Sequence, residues 1–400
     1  MSRCQLMLVA VPLLLRLGIV VGEEAAAPLD KPPVSVGTIA FSPKGPLLAA
    51  GFGGREGPGG LVVWDFEKKE PLRVRHLDRA VTSVSFSPDG TQLAYSPRAM
   101  PPVITDVAGG GEIATLDAGH RGPVAFSADG LTLITGGADK TLRQWDLKSR
   151  SDRKVLSGPG DFVYGRIAYS ATKERLAAAC ASEGIYLWDL GQEKPKHVLK
   201  HGSYFTRSAL FSPSGDWLMT GGWDGTMRVW NAETGELRAK LGGSGGVNCF
   251  EYEPRAGLLA VAAYGKSVQL HTFSFDAPSK AITKQIHELL SRFEDDRYEI
   301  REAASAELIK LGFAAEQELR IAAEKSLSAE VRIRARRARQ AIAGSHGEAL
   351  VGHRNSIWCL SFSPDGKLLA SGSEDGTVRL WDVARKAEAM QFVPASVGEK

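Results

Sequence analysis

A mainly β chain, built from seven repeated units and interrupted by an all-α insertion of about four helices, is the fold class the sequence predicts. The prediction rests on three observations: an excess of glycine, a repeat of about 40 residues, and one stretch in which the hydrophobic period changes. Glycine supplies 44 of 400 residues, or 11%, against a usual ~7%. No collagen-like period accompanies it, so the excess signals many tight turns and hence many short strands. Apolar residues, at 43%, can fill a core, and 49 Lys and Arg against 46 Asp and Glu leave a net charge of +3. That balance implies neither a polyanion-binding chain nor an acidic disordered one.

At the N-terminus, Met1, Ser2 and Arg3 precede a largely apolar run from Leu6 to Val21, which ends before Glu23. Residues 1–22 read as a secretion signal cleaved near Gly22, with 23–33 as a linker; an uncleaved N-terminal anchor is the alternative. Cleavage would export the chain to a periplasmic or extracellular location. No later apolar stretch reaches bilayer-spanning length, so no transmembrane span is expected in the mature chain.

A strand ending in Trp-Asp or its equivalent recurs with its Trp position at Trp64, Thr105, Trp145, Trp188, Trp230, His271 and Trp381. Successive spacings are 41, 40, 43, 42, 41 and 110 residues, so the last interval holds roughly 70 extra residues. Within each unit an alternating strand leads to the turn Phe-Ser-Pro-Asp-Gly or a variant, as at Phe86–Gly90 and Phe362–Gly366. Pro presets one turn dihedral and Gly supplies the positive one. A second strand, a tight turn, the Trp strand and an outer strand complete the unit.

These residues resemble the WD-repeat family over roughly residues 34–275 and 346–394. The resemblance implies a seven-bladed β-propeller around a central channel: blades 1–6 in 34–275, the outer strand of blade 6 and blade 7 in 346–394, and a tail at 395–400. It also implies buried polar tetrads. In unit seven these are His353, Ser371, Asp375 and Trp381; in unit three, His120, Thr135, Asp139 and Trp145; in unit five, His201, Thr220, Asp224 and Trp230. Indole, hydroxyl, imidazole and carboxylate satisfy one another there, which is a structural task. Units two and six lack the Trp and the turn Asp. The ring is expected to close by blade-to-blade packing; an extra strand from residues 26–33 is the alternative, opposed by Pro28, Pro32 and Pro33.

Between 276 and 345 the period becomes 3.6. Ile282, Ile286, Leu289, Leu290 and Phe293 form one helical stripe, and Ile300, Ala304, Leu308 and Leu311 a second. Asp296 and Glu299 read as a start signal for the second helix. A third helix is expected over Phe313–Lys325, and a fourth over Ala329–Ala343 behind Ser328. The segment resembles HEAT-like helical units, including a version found in bacterial WD-repeat proteins of the planctomycete type. Its Arg332, Arg336 and Arg339 share a face, but 13 basic and 12 acidic residues over 276–345 point to a solvated or Glu-paired surface. No nucleic-acid partner is expected.

Motifs for chemistry fail on context. Gly242–Gly246 matches a nucleophile elbow but joins two strands. Gly51–Gly60 lacks the Lys and the helix of a phosphate loop and reads as an enlarged loop. His197 and His201 have the spacing of a metal pair without its setting. Cys180, Cys249 and Cys359 read as three buried thiols. No catalytic, metal or cofactor residue is assigned, and the chain is read as not an enzyme. The expected function is a protein–protein interaction scaffold, monomeric by itself, that binds a protein partner through propeller loops and the helical module. Candidate contact residues are Arg55, Arg98, Arg121, Phe162, Tyr204, Phe205, Trp223, Tyr264 and Trp358, since Arg and aromatic side chains dominate interface energetics. An enzyme or small-ligand binder working in the central channel is the alternative. It would need convergent His, Asp or Glu, whereas the first strands offer mostly Ser, Thr, Cys and apolar residues.

Overall fold

The computed structural model describes residues 34–394 apart from 56, 117–121, 159–162, 181–183, 202–204, 243–245, 264, 277 and 345–347. The secretion signal, the linker and the tail lie outside the described residues. The chain is mainly β, with seven four-stranded antiparallel sheets, the arrangement typical of a seven-bladed propeller. The first strands are Val36–Phe41, Val81–Phe86, Val124–Phe126, Val163–Ser170, Thr206–Phe211, Val247–Glu253 and Ile357–Phe362. Each touches the first strand of the next sheet, and the seventh touches the first, so these strands form the inner ring.

Alternation fixes the sheets. In Val81–Phe86, Val81, Val84 and Phe86 are buried while the residues between them face the axis or the neighbouring sheet. The Phe-Ser-Pro-Asp-Gly turn closes on itself: Ser87 Oγ donates to Asp89 Oδ1 at 2.6 Å, Thr91 N donates to the same oxygen at 3.0 Å, and Gly90 takes φ +74°. Any L-residue at Gly90 would be strained. Half of the glycine run at 51–60 is strand, so the loop is shorter than expected: Leu47–Gly53 pairs with Gly59–Asp65. A Cβ on Gly59 would lie 2.3 Å from the Phe52 carbonyl, so close backbone approach explains that glycine.

Hydroxyls on the first strands stitch neighbouring sheets together. Thr38 Oγ1 accepts from Val84 N (3.3 Å), Ser83 Oγ from Val124 N (3.1 Å) and Ser85 Oγ from Phe126 N (3.3 Å). The first and seventh sheets are joined in the same way, Ser361 Oγ accepting from Phe41 N at 3.5 Å. Trp64 stacks on Phe392 with centroids 5.1 Å apart, in a core shared by both sheets.

Helices α1 (Lys280–Ser291), α2 (Tyr298–Leu311), α3 (Glu316–Lys325) and α4 (Ala329–Gly344) leave sheet six after its third strand, Ser267–Thr272, and the chain returns as its fourth, Glu348–Val351. Ile286, Leu289, Phe293, Ala304 and Leu308 from the two stripes are buried together with Leu319, Ala335 and Ile342. Ser279 caps α1 and Ser328 accepts from Val331 N at the start of α4. The start signal at Asp296 and Glu299 does not form. Helix α2 begins at Tyr298 without a side-chain cap, and Arg301 Nη1 instead reaches back to the Asp295 and Asp296 carbonyls. Helix α3 also starts later than expected, because Gly312–Ala315 forms a 3₁₀ turn. In α4, Arg339 pairs with buried Glu316, and Arg334, outside the face read from sequence, is itself buried between Glu302 and Glu330.

Candidate functional site

The tetrad in sheet seven is complete. Trp381 Nε1 donates to Ser371 Oγ (2.8 Å), the Ser371 hydroxyl meets His353 Nε2 (2.7 Å), and His353 Nδ1 meets Asp375 Oδ2 (3.0 Å). Because the indole N–H can only donate, the serine proton points to Nε2, and Nδ1 carries the hydrogen given to Asp375. Burial opposes ionisation of Asp375, but His353, the Thr377 hydroxyl and Arg354 N outweigh it and hold the carboxyl well below the usual carboxylate range. In sheet five Trp230 Nε1 donates to Thr220 Oγ1 (2.9 Å), while fully buried His201 sits 3.4 Å from Asp224. Burial first, then the charge of Arg228, lowers His201 to about 4. In sheet three Trp145 Nε1 donates to Thr135 Oγ1 (2.9 Å) and Asp139 accepts from Thr141; His120 lies outside the described residues. Apart from His201, whose two ring nitrogens are buried without a hydrogen-bond partner among the described residues, these groups are engaged within their own sheets, which suits them to hold a frame rather than to move protons.

On that frame, the turns between second and third strands and the entries to the first strands share one end of the inner ring. Trp223, on the turn between Trp217–Gly222 and Thr226–Asn231, donates its backbone N–H to the Phe205 carbonyl (2.9 Å). Its ring meets Phe205 edge to face at 5.4 Å. Phe205 is 45% exposed. Trp358, second in the first strand of sheet seven, lies 4.7 Å beneath the Arg207 guanidinium of sheet five. Arg55 is exposed on its loop, and Arg98 is half-buried, its backbone N–H bonded to Ala80 O. The structure thus brings Phe205 with Trp223, and Trp358 with Arg207, while Arg55 and Arg98 stand apart on other sheets. Arg121, Phe162, Tyr204 and Tyr264 lie outside the described residues.

The first strands do offer mostly Ser, Thr, Cys and apolar residues, but Arg166, Arg207 and Glu251 stand among them. Arg166 of sheet four reaches Glu251 of sheet six at 2.5 Å, and the Glu251 charge raises Arg166 further above its ordinary value. Sequence reasoning missed Arg166, Arg207 and Glu251 because each strand was read by itself. Aligned on the residue that ends the inner alternation (Phe41, Phe86, Phe126, Tyr169, Phe211, Tyr252, Phe362), the position three earlier is Thr38, Ser83, Pro123, Arg166, Ser208, Cys249 and Cys359. The position before that is Gly37, Thr82, Gly122, Gly165, Arg207, Asn248 and Trp358. The charged and aromatic residues break two otherwise small-residue rings on one side.

Both thiols on that ring take the place of the hydroxyls. Cys359 is half-buried rather than buried, and its Sγ turns to the Val36 carbonyl of sheet one at 3.7 Å. Burial pushes Cys359 up to about 12 and Cys249 well above its ordinary value, so both stay protonated and unreactive. His197 meets the Glu233 carbonyl (2.8 Å), whereas His201 is sealed in its tetrad, so the two do not converge. Glu251, the carboxylate in the ring, is neutralised by Arg166 and is poorly placed for acid–base work.

The family described as WD domain, G-beta repeat matches residues 69–96, 110–146, 193–231 and 344–382. The chain is 25% identical over 329 residues to serine-threonine kinase receptor-associated protein of Homo sapiens, covering 78% of this chain and 83% of that one. It is 25% identical over 284 residues to Striatin-4 of Homo sapiens, covering 67% of this chain and 30% of that one. A 38-residue segment is 63% identical to WD repeat-containing protein 18 of Bos taurus, covering 10% of this chain and 9% of that one. These matches support a WD-repeat family. Three of the four matched segments end with the Trp strand of a unit: the second at Asp146, just after Trp145, the third at Asn231, just after Trp230, and the last at Asp382, just after Trp381.

Proposed function

We propose that this WD-repeat protein is a non-catalytic interaction scaffold: a propeller whose ring mouth binds a protein partner, with the helical module, HEAT-like in character, as a second surface. The observation that carries the reading is the paired cluster at the mouth, Phe205 with Trp223 and Arg207 over Trp358, set on a frame braced by the hydrogen-bonded tetrad of sheet seven. Rigid aromatic and Arg side chains lose little entropy on binding and make effective hot spots. One relative is a serine-threonine kinase receptor-associated protein, a name that agrees with a binding role. The leader-like N-terminus supports export, or membrane attachment if it is retained, and the resemblance of the insertion supports a bacterial chain of the planctomycete type. The scaffold is monomeric by itself, with neither nucleic acid nor a cofactor as a ligand.

Affinity capture from native extract, quantified for wild type and for F205A/W223A and W358A, tests the mouth. Partner recovery should fall at least about tenfold, the effect of losing one hot spot, with the thermal transition retained. Undiminished capture by both folded variants would remove the mouth from the proposal.

A further inference from the structure

Five of the seven units bury an indole at the Trp position, between their own sheet and the preceding one. Around Trp381 this space is closed by Leu270, Leu350 and Val383. Two units lack the indole, and they differ. In sheet two the register partner of the tetrad hydroxyl is Tyr95; its fully buried ring fills the space, and its hydroxyl accepts from Arg75 Nη1 at 2.8 Å. In sheet six the same position is Val261, smaller than Tyr95 and buried in one cluster with Phe250, and the Trp position holds half-buried His271. The residues matching Leu270, Leu350 and Val383 one sheet earlier are Val229, Leu241 and Phe273. All three, with His271, line a cleft of about 940 Å³ between the sheets and the helical insertion. Its aromatic wall is Phe313, from the turn before α3, whose ring stands 5.4 Å from His271 and 5.8 Å from Phe273.

We propose that this cleft is a binding site for a small, uncharged planar aromatic molecule of about indole size, which takes the place of the missing side chain. The site is separate from the ring mouth. Its volume falls in the range of small-molecule pockets, and its lining combines apolar and aromatic side chains with polar and charged ones, among them Arg238, Asp276 and Lys310. Phe313 is part of the lining and does not fill the cleft.

Indole itself is the probe. Calorimetric titration of the full-length protein should give saturable binding, and indole should raise the midpoint of thermal unfolding in proportion to occupancy. H271W supplies the indole covalently: it should raise the midpoint without ligand and weaken indole binding at least about tenfold, as expected when a guest's volume is already filled. V229F, which fills the cleft from the preceding sheet, should weaken binding similarly and decides the matter if H271W does not fold. The proposal is overturned if wild type shows neither heat nor midpoint shift up to the solubility of indole. It is equally overturned if a folded H271W or V229F binds indole as tightly as wild type.

Discussion

Histidine shows most directly how a single side chain is set by its surroundings. His353 and His201 occupy matching tetrads, yet His353 is held on both nitrogens while His201 lies 3.4 Å from a carboxylate that Arg228 already engages at 2.8 Å. Burial and that neighbouring cation lower His201 from 6.5 to about 4. Between those two values the unfolded chain takes up a proton that the folded chain refuses, so stability falls as pH drops from about 6.5 towards 4. The loss attributable to His201 is roughly 3 kcal/mol across that window. Glu316, raised by burial, acts in the opposite direction near the acidic end, and Asp375 contributes below it, because its stabilisation is present above the ordinary carboxylate range and lost beneath it. Comparing urea unfolding of wild type and H201N at pH 7 and pH 4.5 isolates His201. The variant should lose less stability between the two pH values, and equal losses would mean that His201 ionises in the folded state. The one-residue displacement of this histidine is visible in the sequence; its consequence is not, because that depends on Arg228 arriving from the neighbouring strand.

Elements whose burial repeats were legible; elements held by a distant side chain were not. The stripes of α1 and α2 are read correctly because each buried position recurs every three or four residues. The start of α2 is not, since Arg301 satisfies the preceding carbonyls from one turn inside the helix, and no spacing rule announces that. The strands of each WD unit are legible from alternation and turn chemistry, whereas the Arg166–Glu251 pair joins sheets four and six, which no single-strand pattern can express. The insertion as a whole illustrates both cases. Its helices form their own core, and Phe313 packs both against that core and against the residues between sheets five and six. Removing the ring with F313A should therefore cost about 1–3 kcal/mol, less than a fully buried phenylalanine because Phe313 is only partly buried. Amide exchange should quicken in α3 and in Leu237–Gly242, the strand it touches, while Ile357–Phe362 on the far side of sheet six is unaffected. Exchange confined to the 3₁₀ turn would show that Phe313 does not hold the module to the sheets.

For the whole molecule, the decisive contact is the one between the first and the last of the seven sheets. An open stack of repeats frays from its termini, because the terminal units have one neighbour each. Here sheets one and seven meet, so no sheet is terminal: Val36 is wholly buried under both, Cys359 and Ser361 of sheet seven bond to the backbone of sheet one, and Trp64 stacks on Phe392. None of these bonds is covalent, and the ring therefore depends on the packing of a strand, Ala387–Phe392, that lies within a few residues of the end of the described chain. Truncating Phe392, which is 8% exposed, to alanine should cost about 3–5 kcal/mol. A closed ring distributes that loss, so F392A should lower the urea midpoint while keeping one cooperative transition reported equally by circular dichroism and tryptophan fluorescence. If instead sheets one and seven exchange their amides early and the fluorescence change splits into two steps, the ends act as independent caps and the closing contact contributes little to the other sheets.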